Sequence, residues 1–321
     1  TEPTDLTGPQ VASIYPILNY TFDTEAVFNI MFDEVLDNNT INESSLQIES
    51  GEQNLTIDYI EYTIDEMTTI SLKPFSPLLN NSTCTISIHN LTDTLGNTIS
   101  EPLVFSYNTA DFHYSNKTFI DRFNTGAGWW QPDGSGSTVG TLGSETQYSY
   151  SNSVFVPGVA MNPNGRKSGS LQYAWDQNSP SSFLRLHNAG NPSDIVLDTS
   201  DVLQVYLYSD GSNNQFSISL YEYLGGSLSE DVIEVMAWQE LNWTGWKLIE
   251  WDLSESEQIG NWLSSDQTMD GDEYFLDGFL LKPGFESQMN GKVFFDDLRI
   301  VSKSTGTPIE NEPPQITTIP D

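Results

Sequence analysis

The sequence predicts an all-β protein built from two successive β-sandwiches. Its 321 residues are too many for one ordinary domain. Apolar and polar residues alternate in short runs, as in half-buried strands, and the runs are separated by Asn, Asp, Gly and Ser, which favour turns. No stretch has the period and length of a convincing helix, so the runs predict sheets packed face to face.

The first strands lie within residues 9–109. About seven short strands in a hundred residues, separated by polar turns, are typical of an Ig-like sandwich. Cys84 is the only cysteine in the chain, and its place in an alternating run predicts a thiol that faces the core. The clearest runs are Val27–Phe32, Ser45–Ile48, Leu55–Tyr62, Thr68–Leu72, Cys84–Ile88 and Leu103–Tyr107.

Motifs in this stretch follow a familiar order: Pro9–Pro16, Phe32–Asp37, Thr83–Ile88, Asp93–Thr98 and then Phe105. The D-x-x-G-N turn that begins at Asp93 is the most specific of them. Together they resemble the bacterial Ig-like modules of surface-layer proteins and secreted polysaccharidases. The resemblance covers nearly all of 9–109 and implies a spacer, so residues 1–110 are predicted to form an Ig-like spacer domain.

Residues 111–303 carry longer strands and all eight tryptophans. They predict a β-jelly roll, with hairpin turns at Asp210–Asn214 and Asn242–Gly245. Motifs at Phe119–Phe123, Ser168–Tyr173, Trp246–Leu253 and Val293–Ile300 resemble, in order and spacing, carbohydrate-binding modules with a galactose-binding-like fold. Residues 304–321 are predicted to be a linker and the first strand of a further Ig-like module.

A tyrosine platform is the first candidate site. In Val202–Ser209 the aliphatic residues alternate with Gln204, Tyr206 and Tyr208, and in Gln215–Tyr223 they alternate with serines, Tyr221 and Tyr223. If both strands turn their aliphatic side to the core, the tyrosines share the other face, and Trp238 extends it. Such a face suits a glycan chain. In the alternative, the tyrosines only support one another across strands, or the segment 126–164 covers them.

Paired tryptophans form the second candidate. Trp129 and Trp130 precede a Pro-Asp-Gly turn outside any clear strand, and exposed aromatic loops often bind ligands. The alternative is that these tryptophans close one end of the sandwich.

The carbohydrate-binding resemblance also implies one structural Ca²⁺ between the first and last strands, with Asp296 as a ligand and Asp121 or Asn124 nearby. Alternation places Asp296 on one side with Phe294, Leu298 and Ile300, which predicts an inward carboxylate that needs a cation. In the alternative, Arg122 or Arg185 pairs with it. The loop Asp266–Glu273 resembles a calcium loop but lacks EF-hand spacing, so it is a weaker candidate for calcium binding than the site at Asp296.

The charge of the chain limits which classes of partner it can bind. The chain has 45 acidic and 11 basic residues, for a net charge of −34. This field repels phosphate backbones and so excludes nucleic acid as a partner, and it disfavours anionic lipids and glycans unless a divalent cation bridges them. Neutral polysaccharide is compatible with it. No apolar run reaches membrane-spanning length, which predicts no membrane insertion.

The predicted function is therefore that of a non-catalytic carbohydrate-binding region, in a secreted or cell-surface multidomain bacterial protein. This region is predicted to be monomeric, to bind neutral polysaccharide and to position further domains of the same polypeptide. Two alternatives stay open: a structural or adhesive stalk without a glycan site, and a jelly-roll glycosidase or lyase. No carboxylate pair, histidine cluster or nucleophile motif is isolated by its spacing, so no catalytic residue is predicted.

Overall fold

The protein is built from β-strands in every part that the structure describes, which confirms the predicted all-β class. The computed structural model describes residues 5–16, 18, 21–22, 24–64, 67–123, 128–132, 137–151, 168–188, 195–263 and 265–304. Two single 3₁₀ turns, Asn38–Thr40 and Ser256–Gln258, interrupt the strands. Nowhere in these ranges is there a helix with the length and apolarity needed to cross a membrane.

The first unit is a sandwich of two sheets. Sheet A has the strand order β1-β3-β7-β6, and sheet B has the order β2-β9-β8-β4-β5. All neighbouring strands are antiparallel except β2 and β9, which are parallel. The strands are β1 (Val11–Tyr15), β2 (Thr21–Phe22), β3 (Phe28–Phe32), β4 (Leu46–Ser50), β5 (Gln53–Leu55), β6 (Ile57–Ile64), β7 (Thr68–Pro74), β8 (Thr83–Ile88) and β9 (Leu103–Thr109).

The core of this unit follows from the alternation in the sequence. Phe28, Ile30 and Phe32 of β3 point between the sheets and meet aliphatic residues of sheet B, including Ile86. Cys84 is fully buried among them, as predicted. Burial without a charged partner raises the pKa of its thiol to about 12, so the thiol stays protonated and behaves as a small apolar side chain.

The second unit is a larger sandwich. Sheet C has the order β12-β13-β21-β15-β19, with β10 also paired to β21; sheet D has the order β11-β14-β20-β16-β17, with β18 also paired to β16. The strands are β10 (His113–Asp121), β11 (Trp129–Trp130), β12 (Gln147–Ser151), β13 (Ser168–Ala174), β14 (Leu184–Asn188), β15 (Val202–Asp210), β16 (Gln215–Leu224), β17 (Ser227–Val235), β18 (Gln239–Glu240), β19 (Thr244–Asp252), β20 (Glu273–Lys282) and β21 (Asn290–Ser304).

The two predicted hairpin turns of this unit are arches instead. β15 pairs with β19 and β21 in sheet C, whereas β16, which follows it, pairs with β17 and β20 in sheet D. The turn at 242–245 likewise connects β18 in sheet D with β19 in sheet C. Val205 of β15 and Ile218 of β16 therefore enter the core from opposite sheets rather than lying side by side in one sheet.

The first unit packs on the outer face of sheet C. Strands β3 and β7 contact β19, and Val27 enters a buried cluster that is otherwise drawn from sheet C: Tyr206, Tyr208, Trp246 and Phe294. Asn29 bonds the backbone of Trp246 twice: its side-chain amide donates to the Trp246 carbonyl, and its Oδ1 accepts from the Trp246 amide at 2.9 Å. These contacts hold residues 217 positions apart in the chain.

Ionic contacts complete this interface. The Glu25 carboxylate pairs with Lys117 and lies 3.5 Å from Nη2 of the buried Arg299. The Tyr206 hydroxyl donates to the Glu25 carbonyl at 3.0 Å. Lys247 of β19 lies between two rings, 4.2 Å from the ring centre of Tyr15 and 4.0 Å from that of Trp243. The two units are thus joined by apolar, hydrogen-bonded and ionic contacts together.

Candidate functional site

The structure removes half of the tyrosine platform from solvent. Tyr206 and Tyr208 do lie on the side of β15 opposite to the core, as alternation predicts, but the first unit covers them and leaves them 2% and 5% exposed. Gln204 on the same side is fully buried: it donates to Glu250 at 3.0 Å and accepts from Arg299 at 2.9 Å. The prediction that these three residues bind glycan is wrong, because alternation does not reveal which neighbour covers a face.

The other predicted platform residues lie on a different sheet. Tyr221 and Tyr223 belong to β16, so they lie on the outer face of sheet D, on the opposite side of the second unit from Tyr206. Both are half-buried. Trp238 flanks the same face, where the Lys282 ammonium lies 3.8 Å from the centre of its ring. The four tyrosines therefore do not form one platform, because β15 and β16 do not pair.

Of the two paired tryptophans, one is buried in the core and the other is exposed. They form the short edge strand β11, so consecutive side chains point to opposite sides. Trp129 is buried in the core, stacked on Phe279 with ring centres 4.7 Å apart, and leaves the candidate set. Trp130 is 47% exposed and contacts the edge of His187, with ring centres 5.6 Å apart. Asp133 and Gly134, which follow this pair in the sequence, lie outside the described residues.

A buried polar network lies at the centre of the sheet D face. The carboxylate of Asp277 is fully buried. It accepts from both Nε and Nη2 of Arg185, with the Nε bond at 3.1 Å, and from the Ser219 hydroxyl at 2.6 Å. Nδ1 of His187 lies 2.9 Å from the same carboxylate, and Arg185 also donates to the Tyr221 hydroxyl at 2.9 Å. Every one of these groups is fixed by at least one other.

The electrostatics of this network keep it ionised. Burial by itself raises the pKa of Asp277, but hydrogen bonds from His187, Arg185 and Ser219 outweigh it and hold the pKa below its usual range. Burial likewise lowers the pKa of Arg185, and Asp277 and Tyr221 reverse that effect and raise it. Arg185, one of the two predicted partners for Asp296, pairs with Asp277 instead.

Sequence reasoning missed Asp277 and His187 as site residues. The sequence does contain a signal for polar residues on one face. Arg185 and His187 alternate with Leu184 and Leu186, and Asp277 interrupts an apolar strand. Asp277 lies at a register shift between β16 and β20, where Ser219 pairs with Gly278 and Leu220 pairs with Leu276. A bulge of this kind redirects one side chain, and no alternation rule locates it in advance.

Aromatic rings border the network. Trp262 stacks on Phe183 with ring centres 4.9 Å apart and planes 13° apart, and the Arg185 guanidinium lies 5.6 Å from the Trp262 ring centre. Tyr223 packs edge-on against Phe275 at 5.0 Å. We refer to the network with its bordering rings as the sheet D face; the rings are Trp130, Phe183, Tyr221, Tyr223, Trp238 and Trp262. It combines flat apolar surfaces with fixed hydrogen-bonding groups.

The predicted calcium ligands do not converge. Asp121 pairs in register with Leu298, whose side chain is in the core, and its Oδ2 accepts from Nε1 of the core residue Trp129 at 2.7 Å. Asp296 pairs with Tyr206, which points to the outer face of sheet C.

The inward direction predicted for Asp296 is wrong, because the strand is irregular at Asp297, where φ is +46°. Phe294 therefore packs on the outer face, while Leu298 and Ile300 pack in the core. Asp121 and Asp296 point to opposite faces of one sheet, so the residues present do not fit one shared ion. Asn124 lies outside the described residues. A calcium requirement of the second unit stays a prediction.

One acidic group in the first unit brings three carboxylates together. Oxygens of Asp5, Glu34 and Asp93 lie within 4.8 Å of one another. Burial, followed by the charges of Asp93, Asp5 and Asp33, raises the pKa of Glu34 to about 7. Asp93 already accepts from the amides of Leu95 and Asn97, at 2.8 and 2.7 Å, so its carboxylate closes the D-x-x-G-N turn.

A known protein family matches the first unit. Residues 5–109, about a third of the chain, match the family model described as a bacterial Ig-like domain. This confirms the predicted resemblance for that unit. No curated protein matches the chain.

Solved structures with partial similarity include two carbohydrate-binding modules and a surface-layer protein. A module of the β-sandwich superfamily is 10% identical, with 92% of this chain and 98% of that one covered and a TM-score of 0.34. A module with specific mannan recognition is 10% identical, with 60% and 99% covered and a TM-score of 0.32. The N-terminal part of the bacterial S-layer protein SbsC is 20% identical, with 54% and 42% covered and a TM-score of 0.27. At these scores the similarities carry no argument about ligand or function.

Proposed function

We propose that the chain is a non-catalytic carbohydrate-binding region of a secreted or cell-surface protein, and that a neutral polysaccharide binds on the sheet D face. One observation carries the proposal: exposed and half-buried aromatic rings surround the network of Asp277, Arg185, His187 and Tyr221. The first unit then acts as a rigid support, because it is packed on the opposite side of the second unit.

The chemistry of the sheet D face suits a sugar. The C–H faces of a pyranose ring pack on aromatic rings, and its hydroxyls need donors and acceptors that are already in place. Asp277 accepts from the Nδ1 side of His187, so a neutral imidazole carries its proton on Nδ1 and presents Nε2 as an acceptor. The Tyr221 hydroxyl is held by Arg185 and can donate to a ligand. Fixed groups of this kind lower the entropy cost of binding.

Charge favours a neutral ligand. The net charge of −34 repels uronic-acid or sulfated chains at a distance. The cations of the face are already engaged: Arg185 is bound to Asp277, and Lys282 lies over Trp238. A neutral chain requires no free countercharge.

Affinity electrophoresis against neutral polysaccharides, such as mannans, glucans and xylans, tests the proposal. We expect retardation of the wild type by at least one polymer and a loss of at least about fivefold in affinity for Trp130→Ala, because truncating an aromatic contact that matters for binding typically costs more than about 1 kcal/mol. Phe75→Ala is the matched control: Phe75 is 68% exposed but belongs to the first unit, so its removal leaves affinity unchanged.

A surface stalk without a glycan site is the second candidate. The observation that favours it is the extensive contact between the two units, which suits a structural role. Absence of retardation by every neutral polymer, with folded protein, would favour the stalk over the proposal. Release of reducing sugar or of unsaturated product would instead establish an enzyme.

A further inference from the structure

Two glutamates are buried inside the second unit. Glu222 of β16 and Glu234 of β17 are both 0% exposed. In β16 the side chains of Ile218 and Leu220 point into the core. Glu222, two residues further along the strand, lies on the same side. Leu220 pairs in register with Glu234, so both carboxylates lie on the inner side of sheet D, on adjacent strands.

One loop segment connects the two carboxylates. Glu234 accepts from the Ser265 hydroxyl at 2.8 Å and from the Asp266 amide at 3.2 Å. Oε1 of Glu222 accepts from the Gly271 amide at 2.8 Å and from the Tyr274 hydroxyl at 3.1 Å. The segment 265–271 therefore begins at one carboxylate and ends at the other.

The loop approaches Glu222 very closely. A Cβ atom at Gly271 would lie 2.5 Å from Cγ of Glu222, so only glycine fits there. Yet Oε2 of Glu222 is buried and has no hydrogen-bond partner among the residues that the structure describes. Buried carboxylate oxygens are almost always paired, because desolvation of an unpaired one costs several kcal/mol.

No cationic side chain compensates these charges within the described residues. The ion pairs among these residues engage other acids, and none of them includes Glu222 or Glu234. Burial raises the pKa of Glu234 to about 7; hydrogen bonds from Ser265 and Asp266 oppose the rise, and the charges of Glu222 and Asp266 add to it. Two ionised carboxylates on adjacent strands of a low-dielectric interior repel one another, and a cation that binds both relieves this repulsion.

We propose that a divalent cation, Ca²⁺, binds between Glu222 and Glu234 beneath the segment 265–271. The orphaned Oε2 of Glu222 supplies a free ligand atom at this place. The groups nearest to it are oxygen ligands: the carboxylates of Glu222 and Glu234 and the backbone carbonyls of the segment 265–271. Ca²⁺ accepts six to eight such ligands in irregular geometry, whereas Mg²⁺ demands a regular octahedron.

The site differs from the calcium site that the carbohydrate-binding resemblance implies. Asp121 and Asp296 belong to sheet C, and Glu222 and Glu234 belong to sheet D. It is also independent of glycan binding, because both glutamates point to the inner side of sheet D and the proposed glycan face is the outer side.

Direct Ca²⁺ binding to the whole, chelator-treated chain tests the proposal. We expect isothermal titration with CaCl₂ at pH 8 to show one site fewer in the Glu222→Gln, Glu234→Gln double variant than in the wild type. Saturating Ca²⁺, at about 100 times Kd, is expected to raise the melting temperature of the wild type by about 5 °C or more, and this rise is lost in the double variant. Asp121→Asn with Asp296→Asn is the matched control and keeps the rise.

The single variant Glu222→Gln keeps the test decisive even if the double variant folds poorly. Its amide oxygen can still accept from Gly271 and Tyr274 in place of Oε1, whereas an amide nitrogen, which cannot bind a cation, replaces Oε2. The Ca²⁺-induced rise in melting temperature is expected to be lost in this variant too. A rise that survives in the double variant, or its absence from the wild type at pH 8, would overturn the proposal.

Discussion

The two outer faces of the second unit share one sequence pattern, but the first unit covers only one of them. On each, aromatic side chains alternate with core-facing aliphatic ones. On sheet C the first unit covers the rings, and Tyr206 is 2% exposed. On sheet D, Trp130 is 47% exposed and Tyr221 is half-buried. The comparison teaches that an aromatic outer face is a place for a partner, and that the partner can be another unit of the same chain.

The two faces also differ in what their polar groups join. On the sheet C face, Glu25 of the first unit lies 3.5 Å from Nη2 of the buried Arg299, beside the apolar contact around Trp246. On the sheet D face, the buried ion pair Arg185–Asp277 joins residues of one sheet. Polar contacts between the units help to hold them together, whereas a polar network fixed within one sheet suits the recognition of hydroxyls.

Removal of residues 1–110 is expected to have the largest effect, because it uncovers the sheet C face. It exposes Tyr206, Tyr208, Trp246 and Phe294, each worth about 1.5–3 kcal/mol when fully buried. We expect the melting temperature of the second unit to fall by about 10 °C or more and the remainder to bind a hydrophobic dye. Calorimetry and dye fluorescence measure this. If the second unit alone keeps its melting temperature and does not bind the dye, the contact with the first unit does not stabilise it.

Breaking the ion pair of the sheet D face comes next. Arg185→Leu leaves Asp277 buried without its cation and is expected to lower the free energy of unfolding by about 3–5 kcal/mol. Denaturant unfolding at pH 7 measures the loss. The double variant Arg185→Leu, Asp277→Leu replaces both charges with apolar groups and recovers much of it; no recovery would show that the loss comes from packing instead.

A smaller effect is expected where the units meet most closely. Gly245 has φ +105°, and a Cβ there would overlap Oδ1 of Asn29. Gly245→Ala should therefore cost about 2 kcal/mol through strain and loss of the Asn29 contact. Gly226→Ala is the control: its φ is +76°, but no atom of the described residues lies within 4 Å of a Cβ placed there, so it reports strain alone. Equal losses in the two variants would contradict close contact at Gly245.

The smallest effect is expected from one hydroxyl. Tyr206→Phe removes the hydrogen bond to the Glu25 carbonyl and should lower the free energy of unfolding by about 1 kcal/mol. Tyr223→Phe, on the open face, is expected to change it by less than about 0.5 kcal/mol. The reverse order in denaturant unfolding would contradict the assignment of covered and open faces.

Much of the fold was predictable because alternation is a local signal. The strands of both sandwiches, the buried Cys84 and the Ig-like character of the first unit all follow from short-range patterns. The candidate site was predictable only in part. Tyr221, Tyr223, Trp238 and Trp130 do lie on or beside the sheet D face.

Other parts of the site depended on irregularities of the strands. Asp277 enters the network at a bulge, and Asp296 is turned to the outer face beside the left-handed Asp297. A period of two predicts the wrong side for every residue beyond such a point, because one extra residue reverses the alternation.

The sequence by itself determined the strands and which side of each is apolar, because a strand's side chains point to alternate sides whatever its neighbours are. Only the tertiary structure decided which sheet each strand joins and which outer face is covered. The turn between β15 and β16 is compatible with a hairpin or an arch, and the cover of Tyr206 comes from residues about 180 positions away. Contacts of that range depend on the packing of whole sheets, which no short segment encodes.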